Sequence, residues 1–187
     1  MPRFWLIPLV VASALFMENM DATVIATSLP AIAADLGEDP VVLKLAFTAY
    51  LLSLAVFIPI SGWFADRYGA RRVLTAAIAV FTVASVWCGS ANSLVELVAA
   101  RALQGAGGAM MVPVARLIIL RTVPKHELVA AMAYLTIPAL VGPLVGPPLG
   151  GFITTYFDWR WIFWINVPVG IVGIALAWLF VPDTKAE

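Results

Sequence analysis

Leu128 to Phe157 runs for thirty residues without a charged side chain. A segment of about 20 mostly apolar residues is long enough to cross a hydrocarbon core about 30 Å thick. Inside that core every backbone N–H and C=O must be satisfied within the protein, which leaves helices and closed barrels as the spanning structures. Five further stretches meet the same condition: Phe4–Ala34, Leu45–Phe64, Val73–Ser90, Leu94–Leu120 and Trp161–Pro182. Each is too long for a barrel strand of about 10 residues, so the chain reads as six membrane-crossing helices. The links between them are short, which makes sequential helices antiparallel and leaves no room for a soluble domain. The start has some features of a cleaved leader, with Arg3, an apolar run and Ala12-Ser13-Ala14. The apolar character resumes to Ala34, so the segment is expected to be an uncleaved first helix.

Composition agrees. Of the 187 residues, 63% are apolar and only 12% charged, with a mean hydropathy of +0.99, too little polar surface to cover a soluble domain. Eleven basic and eleven acidic residues cancel, which removes the overall electrostatic case for nucleic acid. One cysteine, Cys88, and one histidine, His126, build neither a disulfide nor a metal cluster. No nucleophile–base pair or phosphate loop stands out, so no enzyme, cofactor or metal is expected. Orientation follows from basic residues outside the spans. One side receives Arg3, Arg67, Arg71, Arg72, Arg121, Lys125 and Lys185; the other receives Lys44 and Arg160. The bias predicts that both termini are cytoplasmic.

Ionisable groups within spans are costly and are functional candidates by default. Glu18 and Asp21 stand three apart on the first span, so they share a face. A carboxylate in poorly hydrated surroundings can serve as a proton carrier; the alternative for Asp21 is a structural ion pair with Arg101. On the fourth span Arg101, Gln104, Gly105 and Gly108 share a face. Arg101 either belongs to that face or extends towards the interface, and Arg116, nearer the span's end, is expected to do the latter. On the fifth span Gly142, Gly146 and Gly150 recur every four residues beside Gly151, with Pro143, Pro147 and Pro148 among them. That is a flat stripe interleaved with residues that bend helices, suited to a moving interface or to static packing.

These residues carry a resemblance. Gly62-Trp63-Phe64-Ala65-Asp66-Arg67-Tyr68-Gly69-Ala70-Arg71-Arg72 is similar to the loop motif of the major facilitator superfamily, matching at Gly62, Asp66, Arg67, Gly69 and Arg71. Ala70 stands where a basic residue is usual. Arg101-Ala102-Leu103-Gln104-Gly105-Ala106-Gly107-Gly108 and Gly142-Pro143-Leu144-Val145-Gly146-Pro147-Pro148-Leu149-Gly150-Gly151 resemble its fourth-helix and fifth-helix antiporter motifs. Met20-Asp21-Ala22-Thr23-Val24-Ile25-Ala26-Thr27-Ser28-Leu29-Pro30 is similar to the first-helix motif, with Ala26 in place of the usual Asn. Trp159-Arg160-Trp161-Ile162-Phe163-Trp164-Ile165-Asn166-Val167-Pro168 is typical of the same drug:proton antiporter group, which has fourteen spans in many members. Ala100–Val114 and the Glu18–Asp21 opening look most like bacterial inner-membrane exporters of the multidrug-resistance D type.

The resemblance implies an all-α integral membrane fold, a six-helix bundle of two inverted three-helix repeats forming the N-terminal half of a transporter. It implies proton-coupled efflux of drugs or small metabolites by alternating access. Asp21, Glu18 and Arg101 would couple protons; Gly62, Asp66, Arg67, Gly69 and Arg71 would gate the loop; Gly142, Gly146, Pro147, Gly150 and Gly151 would form the antiporter motif. Glu18, Thr23, Phe47, Tyr50, Gln104 and Met111 are the candidate substrate-lining residues, for apolar compounds, with aromatic faces and carboxylates to attract a cationic group. The expected partners are the bilayer, protons, a small-molecule substrate, and a missing C-terminal half or a second copy of the chain. The alternative is a truncated or split subunit that does not transport. With one half only, the faces bearing Asp21, Arg101 and the glycine stripe are expected to lack a partner and to meet lipid.

Overall fold

The computed structural model describes residues 6–184; Arg3, Phe4 and Lys185 lie outside them. Six helices long and apolar enough to cross a membrane account for nearly all of the described chain: α1 (Leu6–Leu36), α2 (Lys44–Tyr68), α3 (Ala70–Ser90), α4 (Leu94–Thr122), α5 (Leu128–Tyr156) and α6 (Trp161–Phe180). Among the described residues there is no strand. At 1.5 Å per residue, the 31 residues of α1 extend about 46 Å, so the helix must tilt or protrude from a hydrocarbon core about 30 Å thick.

The helix ends depart from expectation in ways the sequence explains. Residues 65–72 are not a loop: Ala65–Tyr68 complete α2, Ala70 opens α3, and Gly69 alone links them. Gly69 has φ of +97°, open to glycine and strained for other residues. Within α2 a 3₁₀ turn, Ile58–Ile60, interrupts the α-helical ladder; Pro59 has no N–H to return to the preceding turn. Similarly α6 begins as the single turn Trp161–Trp164 and resumes at Asn166, because Pro168 offers no N–H to the Trp164 carbonyl. It ends at Phe180, before Pro182. The four prolines of α5 leave its helix continuous from Leu128 to Tyr156. Glu96, a further charge within the fourth span, sits in its first turn in a capping box: Ser93 Oγ accepts the Glu96 N–H at 3.2 Å, and Glu96 Oε2 accepts the Asn92 N–H at 3.0 Å.

The packing has an internal symmetry. The main pairings are α1 with α5, α2 with α4, α3 with α4, α1 with α6, α3 with α6 and α1 with α4. Exchanging α1 with α4, α2 with α5 and α3 with α6 returns the same set. That is the contact map of two three-helix repeats. The glycine stripe is part of it. A Cβ on Gly142 would lie 2.9 Å from the Met20 backbone nitrogen; one on Gly146 would strike Thr23, and one on Gly150 would strike Thr27. The stripe therefore packs against α1 and does not meet lipid, which corrects that expectation. Nor do Asp21 and Arg101 meet lipid, since both are fully buried.

The core is layered. One apolar cluster holds Val11, Leu15, Leu74, Phe81, Val114 and Ile118; the second holds Val24, Ile32, Cys88, Leu97, Ile162 and Phe163. Between them, on α1, α3, α4 and α6 alike, lies a polar stratum. By contrast α2 and α5 bury few residues and expose Leu52, Val56, Leu140 and Leu144.

The candidate coupling site and its family

The polar stratum is assembled from four helices. Arg101 on α4 turns inward, with Nη1 2.6 Å from Asp21 Oδ2 on α1, so it does not extend to the interface. The same nitrogen donates to Gln104 Oε1 at 2.6 Å, one helical turn on. Asn166 of α6 donates Nδ2 to Asp21 Oδ1 at 2.8 Å and to Ser85 Oγ of α3 at 3.0 Å. The Ser85 hydroxyl in turn donates a hydrogen bond to the Phe163 carbonyl at 2.7 Å. Tyr50 of α2 lays its ring under Arg101, 4.2 Å from the guanidinium carbon, within the range of a desolvated cation–π contact. Both carboxylate oxygens of Asp21 are thus engaged, one by a charge and one by an amide. Asp21 and Arg101 thus form a buried ion pair.

Close approach of the backbones makes this possible. A Cβ on Gly105 would lie 2.6 Å from the Tyr50 carbonyl, and one on Gly107 would lie 2.8 Å from the Phe81 nitrogen, so α4 meets α2 and α3 without intervening side chains. Gly108 opens the space beside Tyr50 Oη and Glu18 Oε1, which would stand 3.1 Å and 3.6 Å from its Cβ. Glu18 differs from Asp21. It is 8% exposed against 0%, and its Oε2 has no protein partner among the described residues. Tyr50 Oη, Arg101 Nε and Nη2, Gln104 Nε2 and Asn166 Oδ1 are also buried without a protein partner.

Of the six lining candidates, Glu18, Tyr50 and Gln104 come together here. Thr23 sits at the α1–α5 contact with its hydroxyl on the Met20 carbonyl at 3.0 Å. Met111 is fully buried in the first apolar cluster and Phe47 packs half-buried against the second. Asn166 and Ser85 were not among the expected site residues. Asn166 had a signal, a lone amide in an otherwise apolar run; Ser85 had none beyond being polar within a span.

The loop-motif residues divide. Asp66 pairs with Arg121 at 2.6 Å and Arg72 with Asp183 at 3.0 Å, tying the ends of α2 to α4 and of α3 to the segment after α6. Arg71 stacks on Trp178 at 4.6 Å, and Arg67 lies over Trp63 and Tyr68 at 5.5 and 5.7 Å. Gly62 has no atom within reach of a Cβ, and neither does Gly151. At the opposite end of the bundle Arg160 donates to the Gly89 and Ala91 carbonyls at 3.0 and 2.7 Å, and Trp159 Nε1 to Asp35 at 2.9 Å. Arg116 is exposed.

A polar stratum held between apolar layers of a two-repeat, six-helix bundle is the architecture of a membrane-transport half. The description Major Facilitator Superfamily matches residues 11–187, and the chain belongs to that family. Relatives provisionally named multidrug resistance protein MdtD are 46% identical in Serratia proteamaculans (strain 568), over 178 residues, and 48% identical in Enterobacter sp. (strain 638), over 179. Both alignments take in 95% of this chain, but 37% and 38% of the relatives, so the chain spans somewhat more than a third of their length. The fold is also that of a solved major-facilitator proton:xylose symporter, XylE, bound to 6-bromo-6-deoxy-D-glucose. The TM-score is 0.85 at 17% identity, over 96% of this chain and 45% of that one.

Proposed function

We propose that this chain forms the N-terminal half of a proton-coupled exporter of drugs or small metabolites, working by alternating access in a bacterial inner membrane with both termini in the cytoplasm. The observation that carries the reading is the Asp21–Arg101 pair, fully buried at 2.6 Å, with Glu18 one helical turn away and its Oε2 without a protein partner among the described residues. Burying two charges costs several kcal/mol per ion before pairing, of order 3–5 kcal/mol if one partner is then lost; a simple packing role would be met by apolar side chains. In this reading Glu18 takes up the proton from the hydrated side. Asp21 and Arg101 are the switch: when the two repeats shift, their pairing changes and Glu18 releases.

The lining residues that converge, Glu18, Tyr50 and Gln104, leave a carboxylate oxygen, a phenol hydroxyl and an amide nitrogen without a protein partner among the described residues. The carboxylate in that set favours an apolar molecule with a cationic group. The names of the MdtD relatives agree with drug efflux. The remaining half of the transporter would dock on α2 and α5, whose faces are the least covered and whose Gly62 and Gly151 have open space.

The test is transport in vesicles by the assembled transporter. Glu18→Gln and Asp21→Asn should each abolish accumulation driven by a proton gradient, while Glu18→Gln retains counterflow exchange of a lipophilic cation. Proton-driven uphill export by both variants would overturn the reading.

A further inference from the structure

A cavity lies away from the coupling site. It has a volume of about 470 Å³ and is lined by Phe57, Phe64 and Tyr68 of α2, by Arg72, Ala76 and Val80 among the residues of α3, and by Ala106, Gly107 and Met110 of α4. Its lining is apolar along its length except at the Tyr68 and Arg72 end. From Arg72 to Val80 it follows α3 for about 12 Å at 1.5 Å per residue, from the charged start of the helix into its apolar run. Ala76 and Val80 along its edge are exposed, so it is open on the side of the bundle.

The charge at its mouth is positive. The Arg72 side chain is 60% exposed and only its Nε is engaged, by Asp183, which leaves both terminal nitrogens for an outside acceptor. Arg67 lies over the Tyr68 ring; it is exposed and forms no ion pair among the described residues. Asp66, the other acid nearby, is already taken by Arg121. A cationic mouth over a dry apolar slot has the complementarity of one amphiphile, an anionic head with an acyl chain.

The docking half does not account for the slot. Within the helical segment Ser61–Tyr68, residues two and six positions from Gly62 lie about 160° and 120° around the axis at 100° per residue. Phe64 and Tyr68 therefore face away from the open side of Gly62.

We propose that the α2–α3 groove is a binding site for an anionic phospholipid, its acyl chain lying between Phe64 and Val80 and its phosphate on Arg72 and Arg67. This site is independent of proton coupling and of the substrate. It places one lipid between α2 and α3, with Tyr68 and Arg72 at its mouth on either side of the single-residue link Gly69.

The test uses the purified chain, stripped of lipid and titrated in detergent with phosphatidylglycerol or phosphatidylcholine, with bound lipid counted by native mass spectrometry. One phosphatidylglycerol should be retained in preference to phosphatidylcholine. Arg72→Gln should reduce that preference about fivefold, the effect of one basic side chain near an anionic head group. Ala76→Trp fills the slot and should remove both lipids, whereas Val83→Trp, on an exposed part of α3 outside it, should change nothing. Circular dichroism checks that each variant is folded, and Val80→Trp replaces Ala76→Trp if that chain does not fold. Glycerol phosphate should not compete. Equal lipid retention by the slot-filling variants and Val83→Trp would overturn the proposal, as would displacement of the lipid by glycerol phosphate.

Discussion

Arg101 and Asp21 are 80 residues apart in the chain, yet Nη1 of one lies 2.6 Å from Oδ2 of the other, with neither side chain exposed to any degree. The contact is braced from both sides. Tyr50 covers the guanidinium, and Asn166 holds the second carboxylate oxygen. The pair therefore fixes the relation of α1 to α4, the two helices that correspond under the internal repeat.

Removing one charge should cost more than removing both. Arg101→Met leaves Asp21 buried with an amide alone, and a loss of about 3–5 kcal/mol is expected for an uncompensated buried charge. The double variant Arg101→Met, Asp21→Leu should recover most of that stability. Denaturant unfolding in detergent, run as a double-mutant cycle, reads the coupling. A double variant no more stable than Arg101→Met would show that the pair does not act as a unit.

Asn166 should matter for geometry rather than charge. It donates to Asp21 at 2.8 Å and Ser85 at 3.0 Å, linking α6 to α1 and α3. Asn166→Leu removes the donor and leaves an acceptor of Asp21 unpaired, at a cost of about 1–3 kcal/mol. In the assembled transporter the same change should displace the pH profile of efflux, because the Asp21 carboxylate is no longer held in place against Arg101. Ser85→Ala should have a smaller effect in both assays, since it touches Asp21 only through Asn166. An unaltered profile in Asn166→Leu would separate α6 from coupling.

Six spans could be read from the sequence because hydropathy alone carries that information, and the buried charges could be picked out because ionisable groups in hydrocarbon are rare. The partners of those charges were harder. Asn166 and Ser85 are neutral, and neutral polar residues also occur in membrane helices for reasons unrelated to any site, such as Thr75 and Thr82 bonding back to their own helix at 3.0 and 2.7 Å. Periodicity revealed that Gly142, Gly146 and Gly150 form a face, but not that α1 fills it. That depends on which helices are neighbours, and the contact lies more than 100 residues away in the chain. The helical character of Ala65–Tyr68 was hidden for another reason: its charged residues read as a loop, whereas Asp66 is drawn to Arg121 at the end of α4.

The glycine stripe and its neighbour should respond in opposite ways to added bulk. Gly146→Leu must push α5 away from Thr23, and Gly142→Leu must push it away from the α1 backbone; overpacking of this kind costs about 1–3 kcal/mol or more. Gly151→Leu meets open space in this chain and should leave its stability within about 0.5 kcal/mol of the parent. Thermal unfolding in detergent distinguishes the two classes. Equal losses at Gly146 and Gly151 would contradict the α1–α5 packing.

Orientation is set by basic residues. A phosphatase fused after Glu38, in the link between α1 and α2, should be active, and one fused after Arg72 should be silent; the opposite pattern would invert the proposed topology.

The face that receives the other half can be mapped with cysteines, because the chain has one cysteine of its own and it is fully buried. Cys88 therefore leaves little background for a membrane-permeant maleimide. Gly62→Cys and Gly151→Cys place thiols on α2 and α5 where nothing stands within 4 Å of a Cβ, and both should label readily in membranes holding this chain alone. Val83→Cys, on the exposed face of α3, should label equally well. When a matching C-terminal six-helix half is co-expressed, labelling at positions 62 and 151 should fall several-fold while position 83 is unchanged. The reason is geometric: α1, α3 and α4 already bury much of their surface in the bundle, whereas α2 and α5 each leave an apolar face that lipid alone covers. A glycine on such a face admits a second backbone at close range. Protection at position 83 in place of 62 and 151 would put the partner on α3 and overturn the α2–α5 docking face.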